Sequence, residues 1–170
     1  MPKVVKWLGL SLLVIIVDQL TKYWAEHILQ QGVIPLLPIF DFSLVHNTGA
    51  AFGFLGQYGG WQHVFFVTLA VIISIVMAVF IAKLKPHERH LSLAYALVIG
   101  GAIGNAIDRV IYQYVVDFIH FFYQDWHYPH FNIADIAIFI GGALLFADVF
   151  GKPFLNTEPA ADEAAGDESS

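Results

Sequence analysis

Cysteine is absent from the 170 residues. That absence removes a thiol nucleophile, a disulfide framework, thiolate metal sites and a lipid anchor on the chain's own cysteine. Charge is scarce as well, at 13% of residues against 58% in the hydrophobic classes. A soluble domain of this size would expose large apolar patches, so the composition fits a polytopic membrane protein. The formal charge of −6 is an end effect, since Glu158, Asp162, Glu163, Asp167 and Glu168 all fall in the last residues and leave the body nearly neutral. Nothing here courts nucleic acid. The His-Glu-x-x-His signature is missing, and His120, His127 and His130 follow no common ligand spacing, so no metal is expected. A serine hydrolase fares no better: Ser43 and His46 differ by an odd number of residues on a strand and point to opposite faces, while Ser11 and Ser74 lack a nearby base.

What the chain does contain is long apolar runs. Four approach or exceed the ~20 residues needed to cross a bilayer: about residues 5–24, 61–84, 91–107 and 131–150. No proline interrupts them, and Trp7, Trp24, Trp61 and Phe150 lie near their ends, as an interfacial belt requires. Lys3 and Lys6 precede the first run, but no small-residue cleavage site follows, so an uncleaved first helix is expected. Lys3, Lys6, Lys83, Lys85, Arg89 and Lys152 fall on one side and only Lys22 and Arg109 near the other, which places both termini in the cytoplasm. The segments Tyr23 to Gly60 and Val110 to His130 then face outward. In the first, Phe40, Phe42 and Leu44 alternate with polar positions as in a half-buried strand, Asn47-Thr48-Gly49 reads as a turn, and Ala50 to Phe54 as a returning strand. A small sheet on the outer surface, with an edge open to an extended peptide, is expected. The second is aromatic and suits an interfacial segment. Residues 1–155 thus form one membrane-embedded domain, and 156–170 an acidic disordered tail.

Ionisable groups among lipid-compatible runs are costly and suggest function. Asp135 is the fifth residue of the last run, roughly 6 Å inside the outer boundary, and Asn132 shares its helical face. Asp117 can return to a similar depth, so two carboxylates can meet at the outer interface. In a partly dry site such a pair cannot easily ionise twice; one carboxyl holds a proton while the other takes one from water. The bland alternative is an interfacial loop aspartate and a helix N-terminal aspartate. Asn105, Asp108 and Arg109 can share one face of the third helix, either framing a site or anchoring its end by an ion pair. Gly100, Gly101 and Gly104 permit close helix approach. Asp18 and Lys22 are spaced for a salt bridge, with Lys22 near enough to the headgroups to meet a lipid phosphate or peptide terminus; Asp148 and Lys152 repeat the spacing at the other end.

Five blocks together carry a resemblance: Val17-Asp18-Gln19-Leu20-Thr21-Lys22, His46-Asn47-Thr48-Gly49-Ala50-Ala51-Phe52, Gly100-Gly101-Ala102-Ile103-Gly104-Asn105-Ala106-Ile107-Asp108-Arg109, Val115-Val116-Asp117-Phe118 and Phe131-Asn132-Ile133-Ala134-Asp135. In this order the chain resembles the bacterial lipoprotein signal peptidases, the signal peptidase II family. The resemblance implies a four-helix aspartyl endopeptidase of the bacterial inner membrane, with its active site toward the periplasm. It would cut diacylglyceryl-modified prolipoproteins just before the lipid-bearing cysteine and be blocked by globomycin. Asp117 and Asp135 match the family's catalytic pair. Asp18, Lys22, Asn47, Gly49, Gly101, Gly104, Asn105, Asp108, Arg109 and Asn132 match positions that line or support its site. The implied partners are prolipoprotein signal peptides and membrane lipids; no cofactor is implied, and a monomer is expected. Two other classes remain open on the residues alone: an ion or proton translocator using Asp18, Asp117 and Asp135, and a membrane scaffold whose charges only fix helix packing.

Overall fold

The computed structural model describes residues 3–49 and 61–151. Four helices, α1 (Lys3–Ile28), α2 (Trp61–Lys83), α3 (Arg89–Tyr112) and α4 (Ile133–Val149), carry at one end an antiparallel sheet of β1 (Ile34–Leu37), β2 (Phe40–Asn47), β3 (Val115–Tyr123) and β4 (Trp126–His127). The strand order is β1-β2-β3-β4. The first three helices are long and apolar enough to cross a membrane. The fourth has 17 residues, a length of about 26 Å, somewhat short of the ~30 Å hydrocarbon core.

The ends of the helices differ from the hydropathy boundaries for identifiable reasons. Helix α1 continues past Trp24 to Ile28 and tightens into a 3-10 turn at Leu29–Gln31 that stops at Gly32, whose φ of 133° favours glycine. Helix α3 runs beyond Ile107 to Tyr112, where Gln113 in the left-handed region sends its N–H to the Arg109 carbonyl. Helix α4 begins at Ile133 and not at Phe131, because Phe131 bridges to Ile119 of β3 and Asn132 forms a capping box with Asp135. An apolar tally cannot distinguish a helical phenylalanine from one in a sheet.

The strand expected around Phe40 to His46 is β2, and one of its two partners is distant in sequence. Strand β2 pairs with β1 on one side and with β3 on the other, setting Val45 opposite Asp117 and Asn47 opposite Val115. The segment Val110 to His130 is therefore largely sheet, and its burial runs unbroken from Val115 to His120. The returning strand expected at Ala50 to Phe54, the tail from Asn156 and the partner role of Lys152 lie outside the described residues. Ala25 and Leu29 of α1 pack with Val116, Phe118 and Ile119 of β3 in a core that Phe40, Phe42 and Leu44 extend from β2. This core seats the sheet on the end of α1.

Helix contacts are close where glycine permits. A Cβ at Gly101 would lie 2.3 Å from the Ala134 carbonyl oxygen, one at Gly100 2.7 Å from Val14 Cβ, and one at Gly141 2.7 Å from the Ala94 carbonyl oxygen. Helix α3 is thus wedged between α1 and α4, while the outer faces of α2 and α4 show Val64, Ile75, Phe139 and Phe146 to the surroundings. Gly101→Ala is expected to lower stability by about 1–3 kcal/mol through overpacking, read as an earlier thermal transition in detergent. At Gly142 a Cβ meets nothing within 4 Å, and Gly142→Ala should be neutral or stabilising by about 0.5–1 kcal/mol. Equal behaviour of the two variants would refute a tight α3–α4 contact.

Candidate active site

Lysine 22 is the first element of the site to be placed. Its ammonium is 3% exposed and lies 2.8 Å from Asp18 Oδ2 and 2.9 Å from Asp108 Oδ2, and it donates to Asn105 Oδ1 at 2.9 Å. Three donors thus find three acceptors, which is the full capacity of an ammonium. The carboxylates are satisfied in turn. Asp18 Oδ1 accepts the Ala134 N–H at 2.9 Å, and Asp108 accepts from Gln19 Nε2 at 2.8 Å and from the Val116 N–H at 3.1 Å. Gly104 is required beside them, since a Cβ there would lie 2.7 Å from Asp18 Oδ2. The cluster ties α1, α3, β3 and α4 together in an interior where an unpaired charge would be costly.

From this cluster the hydrogen bonds lead to the two aspartates with their directions set. Asn105 uses Oδ1 for Lys22, so its Nδ2 donates to Asp135 Oδ1 at 2.7 Å. Asn132 accepts the Asp135 N–H on Oδ1 at 3.0 Å, and its Nδ2 donates to Asp117 Oδ1 at 2.6 Å. Asn47 accepts the Gly49 N–H on Oδ1 at 2.9 Å, which turns its Nδ2 toward Asp117 Oδ2 at 2.8 Å. Gly49 makes that turn at φ 78°, a region open to glycine. Asp135 Oδ2 closes the network by accepting the Asn132 N–H at 3.3 Å. Both carboxyls are held by amides that cannot turn round without losing another bond.

Asp117 is buried and Asp135 half-buried. Burial, reinforced by the nearby charge of Asp135, pushes the Asp117 carboxyl up to about 6, against the lowering effect of the Asn47 and Asn132 hydrogen bonds and of Lys22. The structure therefore brings together Asp18, Lys22, Asn47, Gly49, Gly104, Asn105, Asp108, Asn132, Asp117 and Asp135, with Gly101 acting one step away through the α3–α4 contact.

Two sequence expectations need correction. Lys22 is not available to a lipid phosphate or a peptide terminus, because its three bonds are internal. Arg109 forms no ion pair with Asp108, which belongs to Lys22; its Nη1 instead donates to the Asn105 carbonyl at 3.2 Å, and its guanidinium lies 4.8 Å from the Phe66 ring centroid, toward α2. At the opposite end Asp148 pairs with His90, at 2.5 Å, and the expected Asp148–Lys152 spacing ends at a residue outside the described ones.

Two groups of residues escaped the sequence reading. Gln19 bridges Asp108 and the Gly104 carbonyl; its signal was a polar side chain inside an apolar run. The histidines of the aromatic segment join a chain in which Ser43 donates to Asp41 at 2.9 Å and meets His130 Nε2 at 2.8 Å, while His120 Nδ1 meets Asp41 at 3.0 Å and His127 Nδ1 lies 3.0 Å from His120 Nε2. The serine sits between the carboxylate and His130, so the order of a Ser-His-Asp relay is not formed. Burial, with His120 alongside, pushes the His130 pKa down. Among the described residues no three His, Asp or Glu side chains are grouped to hold a metal.

The signal peptidase (SPase) II family model matches residues 10–151. The chain belongs to that family. It is 50% identical to the lipoprotein signal peptidase of Acinetobacter baylyi over 85% of this chain and 81% of the relative. It is 47% identical to that of Coxiella burnetii over 86% of this chain and 91% of the relative. Two solved bacterial membrane enzymes, determined in meso at 2.3 and 1.9 Å resolution, superpose with TM-scores of 0.73 and 0.76 at 28% and 31% identity. They cover 92% and 88% of this chain, and 93% and 97% of their own lengths are matched. As a signal peptidase II family member, the chain is a membrane-embedded peptidase. Within it, Lys22→Met should leave Asp18 and Asp108 buried without their counter-ion and cost about 3–5 kcal/mol, measured by denaturation in mixed micelles. Adding Asp18→Asn should recover part of the loss; no loss in the single variant would mean that the cluster is not structural.

Proposed function

We propose that the chain is an intramembrane aspartyl endopeptidase that removes the signal peptide from diacylglyceryl-modified prolipoproteins, cutting just before the lipid-bearing cysteine. The observation that carries this reading is the joining of Asp117 and Asp135 through the fixed amides of Asn132 and Asn105 at the end of the membrane helices. The relatives from Acinetobacter baylyi and Coxiella burnetii are lipoprotein signal peptidases, which supplies the substrate class. By the distribution of lysine and arginine the sheet end faces the periplasm, and both termini face the cytoplasm. A lipid-bearing cysteine presents its scissile bond at that headgroup level.

In the proposed reaction Asp135 takes a proton from a water molecule, whose oxygen attacks the scissile carbonyl carbon. Asp117 holds the other proton and polarises the carbonyl oxygen. As the C–N bond breaks, Asp135 passes the proton it took from water to the leaving nitrogen, Asp117 regains its own from the tetrahedral diol, and the new carboxyl group keeps the oxygen from water. One proton shared between two carboxyls suffices, provided neither can rotate away. Asn47, Asn105 and Asn132 supply that restraint, while Asp18, Lys22 and Asp108 hold Asn105 in its orientation.

Asp117→Asn and Asp135→Asn are each expected to lower cleavage of a diacylglyceryl prolipopeptide in liposomes by at least about a thousandfold with the thermal transition retained. Normal turnover in either variant would sink the mechanism, and loss that merely tracked unfolding would favour a scaffold. Because the Asp117 pKa is raised, its proton is held to higher pH than in an ordinary carboxyl and leaves as the pH rises through about 6. The descending limb of kcat/KM should therefore lie at about pH 6 or above; a limb near pH 4 would exclude Asp117 as the proton carrier.

A further inference from the structure

A cavity of about 520 Å3 opens between the β3–β4 hairpin and the first turns of α4, walled by Phe121, Trp126, Tyr128, Phe131, Ile136 and Phe139, with Asp135 at its polar end. The wall is braced by its own rings: Phe121 stacks with Phe131 at 6.1 Å, Tyr128 meets Phe131 edge-on at 5.8 Å, and Trp126 and Tyr128 lie 6.0 Å apart. Phe139 is one helical turn beyond Asp135, so the cavity runs about 6 Å along α4, away from the sheet and toward the bilayer interior. Trp126 and Phe139 are 61% and 76% exposed, which leaves its side open to lipid.

The polarity of the wall decides what fits. An extended peptide carries an N–H and a C=O at every residue, and beyond Asp135 this aromatic wall offers few partners for them. An acyl chain has no such groups past its ester. We propose that the cavity receives one acyl chain of the substrate's diacylglyceryl group and so sets the adjoining peptide bond against Asp135; the inference rests on the prolipoprotein reading given above. A bulk phospholipid chain is chemically similar, but only a chain tethered to the cysteine gains the effective concentration that links its seating to cleavage. Binding of this non-reacting part then positions the scissile carbonyl.

The test uses the full chain in liposomes and a synthetic prolipopeptide whose diacylglyceryl group carries a photoreactive diazirine midway along one acyl chain. With Asp117→Asn to keep the substrate uncut, cross-links are expected on Tyr128, Phe131 or Ile136. Cross-links confined to lipid-facing positions such as Val64, Ile75 or Phe146, or equal labelling of the cavity by a diazirine phosphatidylcholine, would overturn the assignment. In the otherwise native chain, a dipalmitoyl substrate should be cut about tenfold more efficiently in kcat/KM than a dihexanoyl one. Trp126→Ala and Phe139→Ala should each shrink that preference to below about threefold, and an undiminished preference would also overturn it. Cleavage by the native chain without cavity labelling would refute this inference alone. Cavity labelling without any cleavage would refute the peptidase mechanism and leave the acyl site standing.

Discussion

The rest of the structure depends on one constraint: a lysine ammonium has been taken out of water and must keep all three of its hydrogen bonds. Lys22 meets this with Asp18 from its own helix and with Asn105 and Asp108 from α3. The carboxylates that neutralise it have further lone pairs, and these are filled from Gln19, from the first turn of α4 and from the start of β3. In a medium of low dielectric each unmet group would be expensive. Satisfying one cation therefore sets the mutual positions of the elements on which both aspartates stand.

Orientation passes outward from that centre through amide groups. An asparagine whose oxygen is already engaged has only its nitrogen left to offer, and this holds for Asn105, Asn132 and Asn47 alike. The aspartates thus face fixed donors, and Asp117, buried near a second carboxyl, keeps its proton to about pH 6. The sheet contributes depth. Pairing of β2 with β3 carries Asn47 and Asp117 back to the membrane end of the fold, and the bridge from Ile119 to Phe131 delivers the chain directly into the Asn132 cap of α4.

Much of this was legible in the sequence because its physical signals are strong and local. Apolar runs located the helices, the alternation around Phe40 to Leu44 marked β2, and carboxylates among apolar residues identified Asp117 and Asp135 as candidates. Local signals failed where a residue's partner is far away in the chain. Arg109 beside Asp108 looks like an ion pair until Lys22 claims the aspartate, and Phe131 counts toward a helix until β3 claims it. The link from His130 to Ser43 and Asp41 has no periodicity to betray it, since the residues come from separate strands and a connecting segment.

By itself, the sequence determined that the chain crosses a membrane in apolar helices, that polar groups gather toward one end, and that no thiol chemistry is possible. These follow from composition and spacing, because transfer of a side chain between water and lipid depends mainly on the side chain itself. Only the tertiary structure decided which carboxylates are spent on Lys22 and which two are left to face each other across Asn132. Hydrogen-bond pairing is a contest among all groups within about 3 Å in space, and its outcome depends on helix approach at Gly101 and Gly104 and on strand register, neither of which is carried by any residue alone.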